Sequence, residues 1–298
     1  MILLTGANGF LGSALFKEFE NCNSVRILSR TSGDYIVSLD QSIPIFNESF
    51  DVVIHAAGLA HVVPSKNEFD LFHEVNVHGT QNLLRAFEKS ELPKKFVFVS
   101  TVAVYGNSEG NLINEQSELN AIDSYGKSKI QAEQLVRNWC EVNNVKCTIL
   151  RLPLIVGLTP PGNLGAMIKG IRKGYYFNIA GGSAKKSMVL ASDVAKYLLK
   201  ASEIGGTFNL TDGCHPSFFE LSENISRQLG KNRPKNLPLW LAKLSALIGD
   251  LFGAKAPLNS DKLFKITSDL TFDDTKAREA FGWDPTPVLE GFKISDKN

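Results

Sequence analysis

An apolar run, Met1 to Leu4, passes straight into Thr5-Gly6-Ala7-Asn8-Gly9-Phe10-Leu11-Gly12 and then into Ser13-Ala14-Leu15-Phe16-Lys17-Glu18-Phe19. This order predicts strand, glycine turn and helix from the first residue on, and it constrains the chain more than any other segment. A tight turn needs a positive φ, and a phosphate reaches backbone N–H groups only where no Cβ stands in the way. The helix that follows points the positive end of its dipole at the same spot. The segment therefore predicts a dinucleotide site built on Gly6, Asn8, Gly9, Phe10, Leu11 and Gly12.

Strand-like and helix-like stretches alternate through the first half. Strands are predicted at 25–28, 35–39, 51–58, 95–100 and 147–152, and helices at 74–89 and 124–142. Such alternation calls for a doubly wound parallel sheet with helices on both faces and ligands beyond the carboxyl ends of the strands. After Gly157 the character changes. Thr159-Pro160-Pro161-Gly162-Asn163 reads as a loop, 191–201 as a helix and 206–210 as a last strand. From Gly213 on, short helices and proline turns dominate. This predicts a dinucleotide-binding domain over 1–157, completed by about 187–212, and a smaller C-terminal substrate-binding lobe from 158–186 and 213–298.

The formal net charge of +1 gives no reason to expect a nucleic-acid partner. Cys22, Cys140, Cys147 and Cys214 form no CxxC pair and no Cys/His cluster, so no metal site is expected. Free thiols and a first strand starting at Met1 point to the cytoplasm. The apolar stretch 237–252 contains Lys243 and Asp250 and is too short and too charged to span a bilayer. It is expected to pack on the body as an amphipathic helix, with interfacial membrane contact as the lesser alternative.

The spacing Gly6-x-x-Gly9-x-x-Gly12 resembles the extended branch of the short-chain dehydrogenase/reductase superfamily, and so does Tyr125-x-x-x-Lys129. Tyr125 and Lys129 are four apart at a helix start and share one face. A tyrosine that titrates near 10 must drop by about 3 units, or about 4 kcal/mol, to act as a base at neutral pH. One ammonium at about 4 Å supplies about 4 kcal/mol at an effective dielectric of ~20. Ser100-Thr101-Val102-Ala103-Val104-Tyr105-Gly106, His55-Ala56-Ala57-Gly58, Leu150-Arg151-Leu152-Pro153, Ser192-Asp193-Val194-Ala195 and Phe281-Gly282-Trp283-Asp284-Pro285 extend the likeness over most of the chain. Together they resemble the NAD-dependent epimerase/dehydratase family, whose members have a Rossmann domain and act on nucleotide-linked sugars.

The resemblance implies a catalytic set. Tyr125 transfers the substrate proton, Lys129 lowers its pKa and Thr101 holds the substrate oxygen. Asn76 steadies the active-site helix, unless its amide simply satisfies local backbone. Ala56, Ala57, Gly58 and Pro153 line the cofactor, Asp40 at the end of the third strand binds adenine, and Asn163 and Lys186 hold the diphosphate. The likeness also suggests a homodimer through the helices at 74–89 and 124–142. Val102 and Ala103 stand where family dehydratases carry Asp-Glu, which implies that water is not eliminated. Leu154 and Lys186 replace a family Asn and Arg.

Ser29 occupies the place of the acid that binds the 2′-hydroxyl of NAD, and Arg30 follows it. A guanidinium pairs with a 2′-phosphate, so NADP(H) is favoured over NAD(H). The implied activity is a 4-epimerase or a 4-ketoreductase of a nucleotide sugar. Reduction of a non-sugar carbonyl and a non-catalytic cofactor sensor are the alternatives.

Overall fold

The computed structural model describes residues 1–20, 24–60, 68–253 and 256–294. The alternation read from the sequence builds one parallel sheet from β1 (Ile2–Thr5), β2 (Val25–Ser29), β3 (Tyr35–Ile36), β4 (Val52–His55), β5 (Lys95–Thr101), β7 (Lys146–Leu152) and β11 (Gly206–Asn209). β6 (Gly110–Ile113) and β8 to β10 (Leu154–Val156, Phe177–Ile179 and Met188–Leu190) lie outside it. So do β12 (Lys235–Leu237) and β13 (Leu270–Phe272). The order across the sheet is β11-β7-β5-β4-β1-β2-β3, and every neighbouring pair is parallel. Chain direction across the sheet reverses between β1 and β4, and a crevice opens at such a switch point beyond the strand ends.

Helices cover both faces. On one face α1 (Phe10–Phe19) packs with α6 (Ala191–Ile204), and the core there runs from Leu4, Leu15 and Val97 to Phe281 and Trp283. On the other face are α2 (Glu68–Phe72), α3 (Gly79–Phe87) and α4 (Ser124–Val142), over a core rich in aromatics, including Phe46, Phe87, Phe96 and Trp139. The Phe281-Gly282-Trp283 segment is part of the first core. The Trp283 indole N–H donates to the Thr211 carbonyl at 2.9 Å, which gives it a packing role.

The remaining strands pair two by two, as β8 with β10, β9 with β12 and β6 with β13. Between and around them lie α5 (Gly162–Lys173), α7 (Phe218–Gln228), α8 (Leu239–Asp250), α9 (Ser260–Thr267), α10 (Thr275–Phe281) and α11 (Val288–Gly291).

Three expectations are corrected, and the helix expected within 237–252 gains its orientation. β3 holds two residues, so Asp40 does not end a strand; it lies in a turn near the start of α3, where its side chain accepts from Ser38 Oγ at 2.6 Å. The helix expected over 74–89 is a composite that starts at Glu68 and runs through a π-helical segment, His73–His78, into α3. Asn163 belongs to the first turn of α5 rather than to a loop. Finally, α8 buries its small residues Ala242, Ala246 and Gly249 and turns its large apolar ones outward. The close approach of the segment before α9 leaves room only for small side chains there: a Cβ on Gly249 would lie 1.8 Å from the Leu258 carbonyl oxygen.

Candidate active site

The glycine turn between β1 and α1 lies at the switch point, and each glycine answers a different demand. Gly6 has φ +75°, and a Cβ there would stand 2.6 Å from the Ala57 nitrogen. A Cβ on Gly12 would stand 1.9 Å from the Gly6 carbonyl oxygen, so only glycine lets the helix seat against the turn. Gly9 is the N-cap of α1 and has no side-chain cap, and no acid occupies the first turn. The first N–H groups of α1 therefore face outward without side-chain acceptors, which suits an anion. The residues present fit a dinucleotide pyrophosphate. Phe10 closes the far side: a Cβ on Gly157 would meet its ring at 3.0 Å.

The loop after β2 is tightly drawn. Ser29 Oγ accepts from the N–H groups of Thr31 and Ser32 and donates to the Ser32 carbonyl. Asn8 turns its amide to this loop, 3.2 Å from the hydroxyls of both Ser29 and Ser32. Arg30 is exposed beside them. Thr31 and Ser32 thus join Arg30 at the place of the missing acid. Sequence reasoning passed over them, although the run of hydroxyls after Ser29 was the available signal.

The Tyr125–Lys129 pair stands on the first turns of α4, capped by Asp123, which accepts from the Gly126 N–H at 2.9 Å. Lys129 is buried, with Nζ donating to the Val99 carbonyl at 2.7 Å and lying 4.0 Å over the Phe98 ring. Burial pushes its ammonium down to about 7, against the pull of Glu133. Burial also pushes the Tyr125 phenol up to about 12; a hydrogen bond with Thr101 works the other way and Asp123 adds to the rise. The direction is opposite to the one expected from spacing. The cost of burying a phenolate exceeds the help available, and Lys129 spends its charge on Val99 and on its own desolvation. Thr101 also caps the 3-10 turn Val102–Tyr105, accepting from the Ala103 N–H at 3.2 Å.

The segment after β4 and the helix of Tyr125 and Lys129 meet at Gly58. A Cβ there would lie 3.1 Å from Asn76 Oδ1 and 3.9 Å from Lys129 Nζ. Asn76, in the π-helical segment, both donates to and accepts from the backbone of Leu59, and donates to Ser128 Oγ at 2.9 Å. Ser128 in turn donates to the Tyr125 carbonyl at 2.8 Å. The asparagine therefore ties the segment after β4 to the helix that bears Tyr125.

A second chain of hydrogen bonds backs the first. Thr80 Oγ1 donates to the Asn76 carbonyl at 2.6 Å, so it accepts from His55 Nε2 at 3.0 Å. His55 Nδ1 then accepts from Thr5 Oγ1 at 2.7 Å, and Thr5 accepts from the Ala57 N–H at 3.1 Å. Burial, followed by the Lys129 charge, pushes His55 down to about 3, so it is neutral and keeps this tautomer.

Beneath the pair, Arg151 grips Glu133 with two bonds, at 3.1 and 2.8 Å, and donates to the Tyr105 hydroxyl at 3.1 Å. Ser100 turns away from the cleft and donates to Glu133 at 2.6 Å. Phe72 packs its ring 5.6 Å from that of Tyr125. Neither the Glu133–Arg151 pair nor Phe72 was legible, because both depend on contacts between distant segments.

Pro153 lies half-buried between β7 and β8, and Leu154 points outward. Asn163 is exposed, and Lys186 is half-buried just before β10, its ammonium lowered by burial against the pull of Asp269. The glycine turn, Gly58 and the Tyr/Lys pair are brought together by the contacts above, whereas Asn163 lies in the first turn of α5 and Asp40 in the turn after β3.

A family model described as "NAD dependent epimerase/dehydratase family" matches residues 2–210. Among curated relatives, the chain is 28% identical to N-acetyl-alpha-D-glucosaminyl-diphospho-ditrans,octacis-undecaprenol 4-epimerase of Escherichia coli O157:H7, over 97% of this chain and 92% of the relative. It is also 28% identical to UDP-glucose 4-epimerase of Vibrio cholerae, over 98% and 93%. A crystal structure of UDP-glucose 4-epimerase from Thermotoga maritima, with UDP-glucose, shares the fold at TM-score 0.74 and 24% identity, over 97% of this chain and 95% of that one.

Proposed function

Because this chain belongs to the NAD-dependent epimerase/dehydratase family, we propose that it inverts C4 of a hexose carried on a diphosphate. When bound, a nicotinamide would supply the reversible two-electron acceptor for C4. The observation that carries the reading is the meeting at Gly58, a residue proposed to line the cofactor, where a Cβ would lie 3.9 Å from the Lys129 ammonium on the helix that bears Tyr125. Burial holds the Tyr125 phenol protonated; the positive charge of a bound oxidised nicotinamide would oppose that burial, and in the phenolate form Tyr125 would take the C4 hydroxyl proton and return it, with Thr101 holding the same oxygen. Lys129, one turn further along the same helix, would keep its ammonium form when the phenolate forms, since an opposite charge favours it. Val102 and Ala103 in the adjoining 3-10 turn offer no carboxyl for eliminating water.

Lys186 and Asn163 are assigned to the diphosphate. A half-buried ammonium gains most from a fixed anion. The names of the two relatives share a hexose on a diphosphate and differ in what lies beyond it, a nucleoside or a polyprenol. The Ser29–Ser32 loop with Arg30 favours NADP(H) over NAD(H), and for that reason a 4-ketoreductase that consumes NADPH is the second reading.

The test is to incubate the protein and each nicotinamide with UDP-, dTDP- and GDP-hexoses and with a short-chain polyprenyl-diphosphate hexose, and to follow C4 configuration by NMR beside NADPH absorbance. Epimer exchange without net NADPH loss supports the epimerase. Stoichiometric NADPH loss on a 4-keto sugar supports the reductase. Neither turnover nor binding of any diphosphate sugar overturns both and points to a non-sugar carbonyl.

A further inference from the structure

Helix α8 is built inside out. Ala242, Ala246 and Gly249, spaced four and three apart, form its buried face. Opposite them Trp240, Leu244, Leu247 and Leu251, spaced four, three and four apart, form one continuous stripe, exposed by 67%, 55%, 63% and 84%. Ile248 and Phe252 widen the stripe, and Phe264 of α9 is exposed as well. The arrangement is not a matter of rotation about the helix axis. Gly249 meets the Leu258 carbonyl so closely that no larger residue fits, so the large apolar side chains have no alternative on the protein. Soluble chains rarely leave a contiguous apolar surface of this kind without a partner.

The surrounding charge says which partner. Residues 227–265 contain eight Lys or Arg and two Asp, a net +6 in a chain whose total is +1. Lys231, Arg233, Lys235, Lys243 and Lys265 are exposed, and of these Arg233 pairs with Glu223. A second copy of this chain docked by the same face would bring these exposed basic side chains against their own counterparts. A leucine and tryptophan stripe in basic surroundings has the chemistry of a helix lying in an anionic lipid interface, with its apolar side among the upper acyl chains. Among the described residues no helix is long and apolar enough to cross a membrane, so contact would be with the surface alone.

We propose that α8 docks the C-terminal segment of this protein on the surface of an anionic phospholipid bilayer. The inference goes beyond the reaction proposed above and stands independently of it.

Trp240 provides the readout. Of the three tryptophans it is the exposed one, Trp139 and Trp283 being buried. The full chain is mixed at low salt with vesicles of phosphatidylcholine, alone or with phosphatidylglycerol added, and followed by co-sedimentation and tryptophan emission. The expected result is binding to the anionic vesicles, a blue shift and release by salt. The double variant Leu247→Gln/Leu251→Gln should bind about tenfold more weakly or less, with an unchanged melting temperature because both side chains are exposed. Trp240→Phe should remove the emission shift yet still sediment. Absence of vesicle binding overturns the proposal, as does equal binding by the double variant. Self-association that the double variant dissolves, without vesicle binding, also overturns it in favour of a second copy.

Discussion

Replacing Lys129 by methionine isolates the cost of burying an ammonium beneath this site. Lys129 is 5% exposed, with one carbonyl contact at 2.7 Å and an aromatic face at 4.0 Å, and burial moves it from 10.5 to about 7. Between those pH values the unfolded chain binds a proton that the folded chain does not. Stability must therefore rise with pH across that window, by about 1.4 kcal/mol per unit. The whole interval corresponds to ~5 kcal/mol; since the group is half-titrated near pH 7, the gain between pH 7 and 9 is about 2 kcal/mol. The assay is urea unfolding of wild type and Lys129→Met at pH 7, 8 and 9, without cofactor so that ligand linkage does not enter. Other titrating groups are common to both proteins and cancel in the difference. The stability of wild type relative to the variant should grow by about 2 kcal/mol toward pH 9. Parallel pH dependences would refute the claim that this ammonium is desolvated.

Three further outcomes follow from the same geometry. Tyr125→Phe should keep cofactor affinity, because the ring still packs on Phe72, and lose most of kcat on the true substrate; near-normal turnover would remove Tyr125 from the proton path. Arg30→Ala should weaken NADPH binding by about 1.5–3 kcal/mol and leave NADH unchanged, as calorimetry would show; equal losses for both would detach Arg30 from a 2′-phosphate. Arg151→Ala, which leaves the buried Glu133 carboxylate with Ser100 and the partly exposed Arg137, should cost about 1.5–3 kcal/mol by urea unfolding, and a cost within error of zero would mean that Arg137 and water compensate fully.

Local pattern carried most of the framework. The strand–turn–helix at the start and the helix of Tyr125 were readable because turn glycines and i,i+4 spacing are properties of neighbouring residues. Asp40 was misplaced because an apolar run does not say how much of it finds a pairing partner, and β3 pairs over only two residues. Asn76 was singled out, but the π-helical segment that carries it reads as ordinary helix, since one extra residue in a turn leaves little trace in composition. Glu133 with Arg151, and His55 with Thr5 and Thr80, join residues far apart in sequence, and nothing in periodicity pairs them. Which face of α8 is buried was not legible, because hydropathy ranks leucine above alanine for burial, whereas a close backbone approach selects for size.

The position of β11 has a consequence for synthesis on the ribosome. β7 pairs with β5 on one side and with β11 on the other. Leu152 ends β7, but β11 begins only at Gly206, after the chain has made β8 to β10, α5 and α6. At ~5–20 residues per second those roughly fifty residues take about 3–10 s. During that interval a nascent chain holding six strands of its sheet presents β7 with an open row of backbone donors and acceptors, a ready template for any other strand in reach. The time for which this edge stays open is set by the intervening segments, so lengthening them prolongs the opportunity for mispairing even where the finished fold would tolerate the insertion.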